Sequence, residues 1–136
     1  MAVAVESHPD YRVMRRLKPR LQWPAAGAQG VCRVLVLDTE TTGLDQTKDR
    51  IMELALLRVD VDLASGQPAG VVQVYDGLED PGLPIPKEVQ EITGITPAMV
   101  QGQRLDEARI AALLQDVDLV IAHNAGFDRP FVEARL

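Results

Sequence analysis

The fold of this chain is decided by residues 34–44, which read Val-Leu-Val-Leu-Asp-Thr-Glu-Thr-Thr-Gly-Leu. An apolar run typical of a central strand passes directly into two carboxylates and a polar turn. Side chains at i and i+2 of a strand point to the same side, so Asp38 and Glu40 are predicted to lie about 6–7 Å apart at one strand end. Two carboxylates at that separation repel each other unless a cation lies between them. The stretch predicts either a site for two divalent ions or only a strand that runs into a turn.

The composition is that of a soluble globular domain with an aliphatic core. The chain has 136 residues, of which 46% are hydrophobic, 25% charged and only 4% aromatic. No signal peptide is recognisable, and no apolar run approaches the roughly 20 residues of a membrane span. Cys32 is the only cysteine, which excludes an intrachain disulfide and fits a reducing compartment, so we expect a cytoplasmic protein.

The charge is unevenly distributed. The net charge is −6, which argues against a protein that coats duplex nucleic acid by charge alone. Residues 1–30 carry +3 and are interpreted as a basic extension and linker that precedes a domain at residues 31–136. Residues 11–20 are predicted to form a short basic amphipathic helix that ends at Pro19, with Trp23 to Gly27 as the linker. That helix either clamps a partner or a phosphate backbone, or packs its apolar side on the domain, which we favour.

The remaining pattern predicts a mixed α/β sheet. Strands are expected at residues 31–37, 51–59, 71–75 and 118–122, and the short connections between the first three indicate an antiparallel meander. Helices are expected at residues 87–92, 96–100, 106–114 and 128–136, from apolar spacing and from the Thr-Pro and Gly signals that begin or end them.

A second polar stretch follows the fourth predicted strand. Residues 123–128 read His-Asn-Ala-Gly-Phe-Asp and open a predicted helix. Asp128 could reach the first carboxylate pair if the two strands are neighbours, or it could simply cap the helix ahead of Pro130. His123 and Asn124 could likewise be ordinary structural residues of a loop.

The two acidic stretches together resemble the first and second motifs of the DEDD superfamily of 3′–5′ exonucleases. Within that superfamily, the chain is similar to the branch related to the proofreading subunit of bacterial DNA polymerase III. Residues 91–96, Glu-Ile-Thr-Gly-Ile-Thr, resemble a segment that usually reads His-Gly-Ile-Thr. The resemblance spans residues 31–136 and implies a ribonuclease H-like fold, in which a parallel strand joins the meander and helices flank the sheet.

The resemblance also implies the roles of individual residues. Asp38, Glu40 and Asp128 would be carboxylate ligands of two Mg²⁺ or Mn²⁺ ions and catalytic groups of phosphodiester hydrolysis. The terminal nucleotide would be bound by further residues of the two motifs, namely Thr41, Thr42, Gly43, Leu44, Asn124 and Phe127. The substrate would be a single-stranded or frayed 3′ end of DNA or, as an alternative, of RNA, and a polymerase or another protein could be a partner.

The third motif of this branch, a His followed by a final Asp, is not found in the 136 residues. We therefore expect the domain to be incomplete and residues 1–136 alone to have little or no activity, since loss of a general base typically costs about 10²–10⁴ in rate. Two other hypotheses remain: a non-catalytic module that binds nucleic acid or a partner, and a purely structural subunit.

Overall fold

A four-stranded mixed sheet forms the centre of the computed structural model, which describes residues 8–136. The strands are β1 (Val31–Thr41), β2 (Ile51–Asp62), β3 (Pro68–Leu78) and β4 (Leu119–Ala122), and their order across the sheet is β3-β2-β1-β4. β1 pairs antiparallel with β2, β2 pairs antiparallel with β3, and β1 pairs parallel with β4. The predicted meander is confirmed, and so is the parallel strand beside it.

Four helices complete the described part of the chain. They are α1 (Lys87–Thr93), α2 (Pro97–Val100), α3 (Glu107–Leu114) and α4 (Ala125–Arg135). Gly94 ends α1 in the left-handed conformation, and the side chain of Asp106 accepts a hydrogen bond from the Arg109 amide at the start of α3. None of the helices found in residues 8–136 is long and apolar enough to cross a bilayer.

The main core lies between one face of the sheet and the helices. Leu35 and Leu37 of β1 are buried, whereas Val36 between them is 37% exposed on the opposite face. The predicted aliphatic character of the core is confirmed, since Tyr75 and Phe131 are the only aromatic residues among its buried members: Leu35, Leu37, Ile51, Leu54, Leu56, Tyr75, Leu105, Ile110, Leu113 and Phe131. A smaller cluster joins α1 and α2 to the start of β2, through Met52, Ile85, Ile95 and Val100.

The predicted basic helix is wrong. Residues 11–20 have no helical structure, and Leu17, which belongs to the apolar side of the predicted helix, is 85% exposed. The stretch brings cations together at spacings of three and four residues, as with Arg12 and Arg16, and contains no carboxylate to offset their repulsion. An isolated helix of this length is marginal in water even without such repulsion.

The predicted linker is also wrong in part, because it extends the sheet. The Trp23 amide donates to the Gly70 carbonyl at 2.8 Å, and the Gly70 amide donates to the Pro24 carbonyl at 2.8 Å. The Val72 amide donates to the Leu21 carbonyl at 2.9 Å, so the chain at residues 21–24 runs antiparallel to β3 along its outer edge. The division into an extension and a domain at residue 30 stays a prediction.

Candidate active site

β1 carries Asp38 and Glu40 on one face and Thr39 and Thr41 on the other. The strand alternates as the sequence predicts, with Asp38 exposed, Thr39 and Thr41 each only 7% exposed, and Glu40 partly buried. β1 continues through this stretch because Asp38, Thr39 and Glu40 stay paired with β2. The two acidic side chains are therefore held by a regular strand and not by a loop.

The parallel pairing of β1 and β4 brings the second motif to the first. The paired segment ends at Leu37 and Ala122, and α4 begins immediately afterwards. Asp128 lies in the first turn of α4, so the alternative in which it caps the helix is wrong; Asn124 takes the cap position with a φ of 58°. The helix thus begins three residues earlier than predicted, which places Asp128 on its buried side.

Asp128 binds the residue between the two predicted ligands. Its side chain is 3% exposed, and Oδ1 accepts hydrogen bonds from the Thr39 amide at 3.1 Å and from the Thr39 hydroxyl at 2.7 Å. Within residues 8–136, Oδ2 of Asp128 has no hydrogen-bond partner. One oxygen of this carboxylate is therefore fixed by the strand, while the other is left without a protein donor.

The pKa of Glu40 reflects the charges of the other two predicted ligands. Burial is the largest influence that raises the pKa of Glu40 above its ordinary 4.5, and the negative charges of Asp38 and then Asp128 raise it further. Asp38 and Asp128, which are 90 positions apart in the sequence, thus act on the same carboxyl group. An added positive charge at this place would lower the repulsion that the three groups exert on one another.

Two further carboxylates on this face were missed by the sequence analysis. Glu53 pairs directly with Glu40 across β1 and β2, and Asp76 pairs with Ala55, which is itself the partner of Asp38. Burial, followed by the charges of Asp76 and Glu40, raises the pKa of Glu53 above 4.5. The signal for Glu53 is a single acid inside the apolar run of β2, but its meaning depends on the register of the β1–β2 pair.

The turn after β1 is held from within. The Thr42 hydroxyl donates to Asp49 Oδ1 at 2.9 Å, and the Asp45 amide donates to Asp49 Oδ2 at 2.9 Å. A Cβ at Gly43 would lie 2.5 Å from the Asp49 carboxylate, so a larger residue here would displace that carboxylate from its hydrogen bonds in the turn. Leu44 is 83% exposed beyond it.

The remaining predicted binding residues differ in their surroundings. The Thr41 hydroxyl donates to the Gly43 carbonyl at 2.6 Å, so it serves the turn. Asn124 is exposed, whereas Phe127 is half-buried with its ring centroid 5.1 Å from that of Phe131. A cavity of about 450 Å³ lies near the same end of the sheet, lined in part by Arg50 and Arg135, but none of the three predicted ligands lines it.

The donor chemistry fits a hard divalent cation, but the ligands are not already converged. Across residues 8–136, no three side chains of His, Cys, Asp or Glu stand close enough to share an ion as they are. The carboxylates of Asp38, Glu40 and Asp128 supply only oxygen, which suits Mg²⁺ or Mn²⁺. To share an ion, the side chains of Asp38 and Glu40 would have to reorient toward the oxygen of Asp128 that has no protein donor.

Residues 35–136 match the family model described as Exonuclease. The PolC-type DNA polymerase III of Thermotoga maritima is 34% identical over 105 residues, which is 76% of this chain and 7% of that protein. The PolC-type DNA polymerase III of Bacillus subtilis is 31% identical over 104 residues, covering 72% of this chain and 6% of the polymerase. The chain therefore spans less than a tenth of these relatives.

Solved structures of exonuclease I share the fold. The enzyme of Methylocaldum szegediense superposes with a TM-score of 0.58 at 29% identity and covers 74% of this chain and 22% of its own. The E. coli enzyme, in a complex with single-stranded DNA, gives a TM-score of 0.53 at 25% identity over 74% of this chain and 22% of its own. These similarities confirm the expected ribonuclease H-like sheet.

Proposed function

This chain belongs to the exonuclease family, and from that premise we propose that it forms the metal-binding part of a 3′–5′ exonuclease. Such an enzyme removes nucleotides from nucleic-acid 3′ ends by two-metal phosphodiester hydrolysis. The proposal depends on one observation above all, the pair of hydrogen bonds by which Asp128 of α4 is bound to Thr39, between Asp38 and Glu40.

In this proposal Asp38, Glu40 and Asp128 hold two Mg²⁺ or Mn²⁺ ions. Divalent ions lower the pKa of a bound water and stabilise charge on a departing oxygen. Thr39 orients Asp128, because it fixes Oδ1 and leaves Oδ2 without a protein donor. The turn that Asp49 braces offers a rigid backbone surface for the terminal nucleotide, and Leu44 and Phe127 offer apolar contacts for its base or sugar. His123 is exposed and is assigned no role as general base.

The substrate and partners belong to the same proposal. We infer a single-stranded or frayed 3′ end of DNA, with RNA as an alternative, because an exonuclease I of similar fold is described with single-stranded DNA. A polymerase is the inferred protein partner, since the curated relatives are PolC-type polymerases. A cytoplasmic location is consistent with the single cysteine.

Thermal unfolding with Mn²⁺ tests the metal site without requiring turnover. We expect Mn²⁺ at about ten times its Kd to raise Tm by about 3–8 °C, since a ligand that binds only the folded state stabilises it. Thymidine 5′-monophosphate, a model of the released product, should add a further rise only when Mn²⁺ is present. Asp38→Asn should abolish both effects, whereas the control Asp60→Asn, at the opposite end of β2, should preserve them. No Mn²⁺ effect, or one that survives Asp38→Asn, would contradict the proposal.

A labelled-oligonucleotide assay tests the expected weakness of residues 1–136. We expect only trace shortening of a 5′-labelled single strand with Mn²⁺, lost in Asp38→Asn. Vigorous Asp38-dependent shortening would refute the expected weakness while it supported the exonuclease itself. The non-catalytic alternative, which the unconverged ligands favour, instead predicts single-strand binding that is indifferent to divalent ions and to Asp38→Asn or Glu40→Gln.

A further inference from the structure

The basic arm, defined as residues 11–20, is the most concentrated positive charge in an acidic protein. Residues 11–37 contain six cationic side chains and no carboxylate, in a chain whose net charge is −6. Five of the six lie in the arm: Arg12, Arg15, Arg16, Lys18 and Arg20. The basic arm therefore provides, within ten residues, the concentrated positive charge that a polyanion requires, in a chain that is negatively charged as a whole.

Cations outside the arm are mostly used within the protein. Arg58 donates to three carbonyls at the end of α3, at 2.8 to 3.3 Å, and Arg109 donates to the Val74 carbonyl at 2.9 Å. Other basic residues pair with a carboxylate or a backbone carbonyl in the same way: Lys48, Arg50, Arg104, Arg129 and Arg135.

The arm differs from this pattern. Arg12, Arg16 and Lys18 are exposed, and no other residue in the stretch 8–136 makes a hydrogen bond or ion pair with their side chains. Tyr11, Met14 and Leu17 are 61%, 96% and 85% exposed beside them. Unused cations interleaved with an exposed aromatic ring and apolar side chains match the surface that single-stranded nucleic acid binds, through phosphate contacts and base stacking.

The arm is attached to the sheet at its root. Besides the backbone bonds of residues 21–24 to β3, the Arg20 guanidinium stacks 3.9 Å above the centre of the Trp23 ring. The Trp23 indole donates to the Arg20 carbonyl at 3.1 Å, and Arg20 Nε donates to the Gln22 carbonyl at 3.2 Å. The cations of the arm are thus joined to the domain by an ordered segment.

The pairing also directs the arm toward the candidate active site. Because residues 21–24 run antiparallel to β3, the chain before Leu21 leaves in the direction of the carboxyl end of β3. Asp76 near that end is level with Asp38 through Ala55. At about 3.3 Å per residue and 4.8 Å per strand, Leu21 lies roughly 20 Å from Asp38 across the sheet. Stacked nucleotides span that distance with roughly six phosphates.

We propose that the basic arm binds the phosphate backbone of the single strand whose 3′ end lies at the carboxylates. The inference rests on the proposed function for the class of ligand. It adds a second contact that needs no metal ion, so an acidic domain can hold a polyanion at a distance from its acidic site. Arg12, Arg16 and Lys18 supply the contacts, and Tyr11 offers a ring on which a base stacks.

Binding of fluorescent oligo(dT) in EDTA, measured by anisotropy over a range of salt concentrations, tests the arm. For Arg12→Gln/Arg16→Gln/Lys18→Gln we expect an affinity roughly 10- to 100-fold lower at 0.1 M salt. The slope of log K against log salt should be shallower by about 2, since each single-strand phosphate contact contributes about 0.7. The charge-preserving variant Arg12→Lys/Arg16→Lys/Lys18→Arg should retain affinity and slope. Urea unfolding should show that all variants are folded.

A matched pair of single substitutions separates local contact from net charge. Arg16→Gln and Arg33→Gln change the net charge equally, but Arg33 lies at the end of β1 remote from Asp38. We expect only Arg16→Gln to make the slope shallower. Equal losses in both variants, no detectable binding by the wild-type chain at low salt, or unchanged binding by the triple variant would overturn the proposal. Arm-dependent binding to phosphatidylserine vesicles without binding to oligo(dT) would overturn it too, in favour of a membrane surface.

The measurement in EDTA keeps this result separate from the exonuclease proposal, because it excludes divalent ions. Loss of oligo(dT) binding in the triple variant supports the arm whether or not Mn²⁺ stabilises the domain. Mn²⁺ stabilisation that depends on Asp38, together with oligo(dT) binding that is unchanged in the triple variant, would contradict the proposal for the basic arm but not the proposed function.

Discussion

Glu79 and Glu53 are glutamates close to each other at one end of the sheet, and the fold treats them in opposite ways. Glu79 is 4% exposed and accepts hydrogen bonds from the Leu105 amide at 2.8 Å, from Arg135 at 3.0 and 3.2 Å and from Arg104 at 3.3 Å. Glu53, which pairs with Leu78 immediately before Glu79, faces Glu40 and Asp76.

The pKa values of the two glutamates shift in opposite directions, as their surroundings predict. Burial raises the pKa of Glu79, but the hydrogen bonds from Arg135 and Leu105 and the Arg135 charge outweigh it, so the pKa is lowered overall. Nothing comparable offsets the burial and like charges that raise the pKa of Glu53 and Glu40. Glu79, which the fold buries, receives cations from the chain, whereas Glu53 and Glu40 have only like charges as neighbours, which is consistent with the proposed metal site.

Of the substitutions that test this comparison, removal of the Glu79 charge should change the free energy of unfolding the most. We expect Glu79→Gln to lower the free energy of unfolding by about 2–4 kcal/mol, because Arg135 loses its buried partner and an amide donor replaces an acceptor. Urea unfolding followed by circular dichroism measures it. Glu107→Gln is the control, since Glu107 pairs with the same Arg135 at 2.8 Å but is 66% exposed, so its loss should cost less than about 0.5 kcal/mol. Equal effects of the two substitutions would show that Glu79 is no more structural than a surface acid.

Thr39→Val should have an intermediate effect and should link the two regions. The substitution keeps the shape of the side chain and removes the hydroxyl that binds Asp128 at 2.7 Å, so we expect a loss of about 1–2 kcal/mol. It should also weaken the Mn²⁺-dependent rise in Tm, because Asp128 is then oriented by the amide alone. Thr47→Val removes an equally short bond to Asp45 at an exposed position and should do neither. A normal Mn²⁺ response in Thr39→Val would separate Asp128 from the metal site.

Glu53→Gln should have the smallest effect, and its sign should be the reverse of Glu79→Gln. A carboxyl group with a raised pKa in the folded state stabilises the fold below its ordinary pKa of 4.5, and this contribution is lost as the pH rises through the folded pKa. We therefore expect Glu53→Gln to stabilise the chain by about 0.2–1 kcal/mol at pH 7, the range for like charges directly opposite in a sheet. Unfolding at pH 4 and pH 7 should show that this gain appears only at the higher pH.

Glu79 provides the opposite pH dependence. Its lowered pKa contributes stability above the ordinary value of 4.5, and that contribution is lost as the pH falls through the folded pKa. In the wild type, the contribution of Glu53 falls as the pH rises and partly offsets the rising contribution of Glu79. We therefore expect stability to rise more steeply with pH near pH 4–5 in Glu53→Gln than in the wild type. A variant less stable than the wild type at pH 7 would mean that Glu53 has a favourable partner, and the contrast between the two glutamates would fail.

The sequence was sufficient for the elements whose signals are local. Apolar runs predicted all four strands, and the Thr-Pro and Gly signals predicted α1 and α2 to within a residue or two. The carboxylate pair of β1 was recognisable because side-chain alternation is a property of one strand. Asp128 was found by its resemblance to a family motif, but its bond to Thr39 could not be read from spacing, since it depends on how α4 packs against β1.

The misses depend on contacts between distant segments. Glu53 and Asp76 join the acidic face only through strand register, which is set by the nine-residue connection between β1 and β2 and by the bulge after Arg58. Trp23 and Pro24 fall within the predicted linker because their pairing with Gly70 uses backbone groups, which leave no side-chain pattern. The basic helix was predicted from the spacing of apolar residues, and the repulsion among its cations outweighed that signal.

The bond between the Thr39 amide and Asp128 has a consequence for how the molecule can be observed. β4 stops pairing at Ala122, and two residues further along β1 a side-chain oxygen takes the place that a strand carbonyl would otherwise fill. A single backbone nitrogen therefore senses a carboxylate directly. The nuclear magnetic resonance frequency of the Thr39 amide and its rate of hydrogen exchange with solvent should therefore change when a charge binds to the Asp128 carboxylate.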